Sequence, residues 1–262
     1  MNNILKLLSA FLKVNVQMSL AYRADTVVNI LLNLMWLGWE LLSLSIIFSN
    51  TETIAGWSFG DLIALLGVFR LVHTLMIALI WPNTEKFNQS IRDGSMDYTL
   101  LQPVSSMFLV TFSRITVWRA WDLILALVLI VIGINMSGGT VTASSILAFI
   151  LLTISGAMII YSLWIVLIAL TFWFTKFDNN VTILQALLDA GRYPATVYPA
   201  WLRIIVTFVI PIAVATNVPL QGLRGNLTLG SILFFLALSG ISFLIASQVW
   251  KRGLKQYSGA SS

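Results

Sequence analysis

The chain has 262 residues, of which 58% are hydrophobic and 10% charged, with a mean hydropathy of +0.92. A water-soluble domain carries roughly 25% charged residues, so this composition excludes one. The absence of cysteine excludes thiol chemistry, disulfides and thiolate metal sites, and the net charge of +5 reads as basic loops held at an anionic membrane face rather than as a nucleic-acid footprint.

Residues 3–18 have the pattern of an amphipathic helix lying in a membrane interface. Ile4, Leu5, Leu8, Phe11 and Leu12 share one face; Asn2, Lys6, Lys13 and Gln17 share the other. Arg23 and Asp25 then interrupt the apolar run and separate this helix from the first span, residues 27–48. No apolar run is followed by a small-residue cleavage site, so the first span is expected to stay in the mature protein. Residues 49–60 form a short loop with Trp57 and Phe59 at the interface. The second span is expected over 61–81, ended by Pro82.

A polar, charged segment follows over 82–104. It reads as a short helix over 84–92 capped at Gly94, then a second turn over 97–101 begun by Asp97 and stopped by Pro103. Phe87 and Ile91 are four residues apart, so they share a face and are expected to act as anchors in a partner's groove. A solvated connector is the alternative. The third span is expected over 118–135, with Arg114, Arg119 and Asp122 at its polar end, and 136–139 is a turn. The fourth is expected over 143–174. Residues 178–200 read as interfacial, with a helical pattern in Val181, Leu184, Leu187 and Leu188. The fifth is expected over 201–218, with Pro211 as a candidate hinge. Asn217, Pro219, Gln221 and Gly222 suggest a re-entrant turn, and the sixth span is expected over 230–250.

Basic residues mark alternate segments. Lys6, Lys13 and Arg23 precede the first span. Lys86, Arg92, Arg114 and Arg119 lie between the second and third. Lys176, Arg192 and Arg203 lie between the fourth and fifth, and Lys251, Arg252 and Lys255 follow the sixth. The opposite segments hold only Arg224. Cytoplasmic loops retain positive charge. The expected fold is therefore all-α and polytopic, with six transmembrane helices in one domain over 1–262 and both termini cytoplasmic.

Two charged groups and the one histidine fall well inside the spans rather than at their ends. Glu40 and Arg70 each lie about 12–14 Å below the same membrane edge at about 1.5 Å per residue, a depth that permits an ion pair. His73, the one histidine, follows Arg70 by three residues and shares its face. These residues either fix helix packing or line a pathway. No phosphate-binding GxxxxGK[ST], GxSxG or HExxH motif is present, so chemistry is expected to reside in a partner.

The run Ile91-Arg-Asp-Gly-Ser-Met-Asp97, followed by Leu100-Leu-Gln-Pro103, resembles a signature of ABC-2 type permeases, in a subgroup first catalogued as a domain of unknown function. Arg192-Tyr-Pro194, the stretch from Tyr198 to Arg203, the run from Thr207 to Pro211 and the stretch from Trp250 to Tyr257 are similar to the same family in the same order. The resemblance implies a transmembrane subunit that dimerises, as a homodimer or a heterodimer, and binds two cytoplasmic ATPase subunits. It implies an N-terminal elbow helix, matching residues 1–25, and a coupling helix, matching 82–104. Glu85, Phe87, Ile91, Arg92, Asp93, Gly94 and Asp97 are then the expected ATPase-coupling residues. No cofactor is expected in this chain, with ATP and Mg in the partner. Membrane lipids are the other expected contact, in the inner membrane of a prokaryote. Most relatives export, and the apolar spans favour an amphipathic, lipid-like, drug-like or peptide cargo. A secondary transporter or channel using Glu40, Arg70 and His73 is the main rival. It is disfavoured by the lack of an internal repeat. A membrane-embedded lipid-modifying enzyme is a third reading, disfavoured by the scarcity of His and clustered carboxylates.

Overall fold

The computed structural model describes residues 2–21, 23–174, 180–209 and 212–257. Among them the chain is helical, and its only β-type pairing is an isolated bridge between Ile54 and Trp57. Eleven α-helices run in order: α1 (Asn2–Ala21), α2 (Arg23–Phe48), α3 (Phe59–Arg92), α4 (Met96–Leu100), α5 (Ser106–Phe112), α6 (Ala120–Met136), α7 (Ala143–Ala169), α8 (Asn180–Asp189), α9 (Ala200–Ile204), α10 (Ile212–Leu223) and α11 (Leu229–Gln256). Among the described residues five helical stretches are long and apolar enough to cross a membrane. They are Ala24–Phe48, Phe59–Arg92, Val117–Met136, Ala143–Phe172 and Leu229–Gln256.

The span expected over 201–218 is not among them. Its residues form the five-residue α9, a π-helical stretch Ile205–Val209 and the twelve-residue α10. The hinge expected at Pro211 lies outside the described residues. No re-entrant turn forms at Asn217, Pro219, Gln221 and Gly222; all four belong to α10, with Pro219 inside it.

The centre of the fold is α3. Its first turn is fixed by a capping box: the Ser58 side chain accepts the Asp61 N–H at 3.3 Å, and the Asp61 carboxylate accepts the Ser58 N–H at 3.0 Å. Glycines bring α6 against it. A Cβ at Gly67 would lie 2.8 Å from the Ala126 carbonyl oxygen, and one at Gly60 2.7 Å from the Ser137 nitrogen, so only hydrogen fits there. Where lipid surrounds both helices, such close backbone approach supplies the dispersion contact that water exclusion supplies elsewhere. Gly156 of α7 gives Ala215 of α10 the same room.

Pro82 does not end α3. The helix runs on for 34 residues with Pro82 inside it. A proline removes the hydrogen bond to the carbonyl four residues earlier. That carbonyl, of Ala78, instead accepts the Thr116 N–H at 2.9 Å. Asn83, 1% exposed, completes the repair. Its Nδ2 donates to the carbonyls of Leu79, Thr111 and Arg114 at 2.6–2.7 Å, and its Oδ1 accepts the Arg114 N–H at 3.0 Å and the Ser113 hydroxyl at 2.9 Å. At about 1.5 Å per residue α3 is about 51 Å long, roughly 20 Å more than a hydrocarbon core.

The extension of α3 is packed. Phe87, Phe172 and Trp250 form a triangle of rings with centroids 5.3–5.5 Å apart, and Tyr257 stacks edge-on to Phe172 at 6.1 Å. The Trp164 indole donates to Thr84 at 2.7 Å, and the Trp250 indole to Ser106 at 3.3 Å. Buried Met96 and Ile91 belong to the same core. The far ends of α3, α7 and α11 are thus one rigid block. At the opposite end Arg224 pairs with the buried Asp61 and lies over the Trp57 ring at 5.9 Å, which accounts for the one basic residue in that group of loops.

Candidate functional site

Two features stand out: a polar cavity between the spans and the tip of the α3 extension. The cavity, of about 250 Å³, is lined by residues of α2, α3 and two short turns: Asn33, Trp36, Glu40, Phe69, Arg70, His73, Thr74, Arg119 and Arg192. Asn33, Trp36 and Glu40 recur at helical spacing on α2 and form one stripe. Arg70 donates from Nε at 3.1 Å and Nη2 at 2.6 Å to Glu40 Oε2, and from Nη1 to Asn33 Oδ1 at 2.8 Å. Its side chain is 12% exposed and that of Glu40 18%. A charge inside a membrane is costly unless paired, and this pair supplies that compensation.

Glu40 has a second partner. Its Oε1 lies 3.3 Å from Arg192 Nη1, and the Arg192 guanidinium sits over the Phe69 ring at 5.3 Å. His73 stacks on the same ring at 5.2 Å. The expectation that Arg192 belongs to a basic loop on the membrane face is therefore corrected. The local fold delivers it inward. The Gly191 carbonyl accepts the Thr216 hydroxyl at 2.7 Å, and the Ala195 N–H donates to Asn217 Oδ1 at 3.3 Å, so α10 holds this turn on both sides of Arg192. Arg203 binds the carbonyls of Ala195, Thr196 and Tyr198 at 3.0–3.1 Å and closes it. Arg119 enters from the turn before α6. It pairs with Asp122 at 3.4 Å and covers the Trp118 ring at 4.7 Å. Sequence reading had grouped Glu40, Arg70 and His73; Asn33, Arg119 and Arg192 join them only in three dimensions. The spacing of Asn33 seven residues before Glu40 was the one available signal.

At the tip, the structure removes Phe87 and Ile91 from any docking surface: they are 2% and 8% exposed. The helix face that carries them faces Phe172, Trp250 and Met96. Glu85, Arg92 and Asp93 are exposed, while Gly94 and Asp97 are partly so. Gly94, with φ of +75°, makes the left-handed turn that follows Asp93 at the helix C-cap. The Asp93 carboxylate accepts the Ser95 N–H at 2.9 Å, and hydrogen bonds from Ser95 hold it below its usual value, so the turn stays anionic. The apolar groups presented outward are Tyr98, 74% exposed, and Leu101, 80% exposed, with Leu100 beside them. The expected N-cap role of Asp97 passes to Ser95, which makes no side-chain capping bond.

A model of the ABC-2 family transporter proteins matches residues 34–261. The chain belongs to that family. It is accordingly a multi-pass membrane protein of a transporter family, and the projecting tip and every cavity-lining residue but Asn33 lie within the matched span. No curated protein and no solved structure matches this ABC-2 family chain.

Proposed function

We propose that this chain is the permease subunit of an ATP-driven exporter, with a separate ATPase bound at the tip of α3. Membrane subunits of this family generally pair with ABC ATPases. The observation that carries the reading is the continuous α3 rod. It passes Pro82 without a break, is clamped by the Phe87–Phe172–Trp250 triangle to α11 and to the turn that follows α7, and leads through the turn at Gly94 to exposed Tyr98 of α4 and to Leu101 just after it. A push on that tip moves three spans together. The coupling segment is 82–104, with Glu85, Arg92, Asp93 and Asp97 as its polar rim and Tyr98 and Leu101 as its anchors. In this reading the tip and both termini are cytoplasmic, and α1 is an interfacial elbow. The α9–α10 stretch serves as a broken sixth crossing, and a second permease copy or a related chain completes the pathway. ATP and Mg belong to the ATPase. The cargo is amphipathic.

The test is purification of the full chain from its native membrane with identification of what accompanies it. A stoichiometric ATPase, lost on Tyr98→Ala with Leu101→Ala while the chain keeps its melting temperature, is the expected result. Transport by the chain with no ATPase present would overturn the proposal and move the energy source to an ion gradient acting on Glu40, Arg70 and His73.

A further inference from the structure

The charges that line the cavity between α2 and α3 do not balance. Among the described residues, Arg70, Arg119 and Arg192 face it against Glu40 alone. Asp122 and Asp189 pair with Arg119 and Arg192, yet neither lines the cavity, so the wall itself presents more guanidinium than carboxylate. His73 is the other titratable group on its wall. Arg192 Nε is buried with no hydrogen-bond partner among the described residues. Glu40 meets Arg70 through Oε2 and Arg192 Nη1 through Oε1, and it makes no hydrogen bond to this Nε.

Position adds the second half of the argument. Arg70 lies about 16 Å along α3 from Phe59, near mid-span, and Arg119 stands at the start of the apolar stretch Val117–Met136. The cavity therefore reaches from the middle of the spans toward their basic end. Trp36 lines it and is also mostly exposed, so the cavity borders the outer surface of the bundle. Leu32, Met35 and Trp39 lie exposed along α2 next to it. A site with excess guanidinium charge that borders an apolar strip suits one chemical class. We propose that this cavity binds the anionic headgroup of an amphiphile, a phosphate or carboxylate, whose apolar chain lies along α2. Guanidinium groups recognise both headgroups through charge-assisted, bidentate hydrogen bonds. The inference goes beyond the transport reading and is read out as binding, with no ATP or ATPase present.

The test uses the full chain in dodecyl maltoside, titrated with dodecyl phosphate or with uncharged dodecanol and followed by native mass spectrometry. One saturable dodecyl phosphate per chain, with no matching dodecanol adduct, is expected. Asn33→Asp is the informative variant. It keeps the oxygen that accepts from Arg70 and breaks no ion pair, but adds a negative charge to the cavity wall. It should weaken dodecyl phosphate binding at least about tenfold, since like charges at a contact are strongly unfavourable. Equal binding of dodecanol, or unchanged dodecyl phosphate binding in a folded Asn33→Asp chain, would overturn the proposal. Should that variant not fold, the phosphate–dodecanol comparison on the unaltered chain decides alone. Repeating the titration in phosphatidylglycerol and phosphatidylcholine nanodiscs separates the sources. Competition by phosphatidylglycerol assigns the site to a resident anionic lipid, and competition by neither assigns it to a free amphiphile.

Discussion

The backbone N–H of Thr116 donates to the Ala78 carbonyl at 2.9 Å, the acceptor that Pro82 leaves without its helical partner. This single bond joins the turn before α6 to the middle of α3 and lets α3 leave the span without a kink-induced stop. The rest of the joint is Asn83. It is the reason a proline in a membrane helix here marks a junction rather than an end.

Asn83→Ala should therefore be far more damaging than Pro82→Ala. The first strands the carbonyls of Thr111 and Arg114 and the Arg114 N–H, buried or partly so, each costing about 1–3 kcal/mol when left unpaired. The second restores an N–H where the helix is already satisfied and should change stability by about 1 kcal/mol or less. Thermal unfolding of both variants in detergent checks the order; equal losses would remove Asn83 as the joint.

Phe87→Ala should destabilise the chain by about 3–5 kcal/mol and Ile91→Ala by about 2–5 kcal/mol, because both are buried in the block shared with Phe172 and Trp250. Tyr98→Ala and Leu101→Ala should leave the melting temperature unchanged, since both side chains stand in solvent. The reverse ranking would restore the sequence-based view of Phe87 and Ile91 as partner anchors.

Glu40→Gln removes the one carboxylate that, among the described residues, is held by both Arg70 and Arg192. Leaving a partly buried guanidinium unpaired should cost about 3–5 kcal/mol. A double-mutant cycle should give Glu40 a larger coupling to Arg70, at 2.6 Å and 12% exposed, than to Arg192, at 3.3 Å and 35% exposed. Equal couplings would mean that the turn at Arg192 is held as firmly as the helix at Arg70.

Gly133→Leu should prevent folding of the α3–α6 pair, because a Cβ there meets the α3 backbone at Ala64. Gly38→Leu, where nothing lies within 4 Å, should be tolerated. Yield of monodisperse protein after extraction separates the two; comparable yields would show that close packing at Gly133 is dispensable.

The apolar runs by themselves determined the spans of α2, α3, α6, α7 and α11. A helix that must satisfy its own backbone in hydrocarbon leaves a long uninterrupted signature in sequence. The depths of Glu40 and Arg70 were legible for the same reason, since rise per residue is fixed. Local rules failed where a distant residue took over a local duty. Pro82 reads as a stop until Thr116 and Asn83 occupy the carbonyls around it. Phe87 and Ile91 read as an exposed anchor face until Phe172 and Trp250, some 80 and 160 residues later, cover it. Arg192 reads as a loop cation until Thr216 and Asn217 draw its turn against Glu40. In each case a backbone acceptor, an apolar face or a charge had two physically adequate partners, water or protein, and only the tertiary structure decided between them.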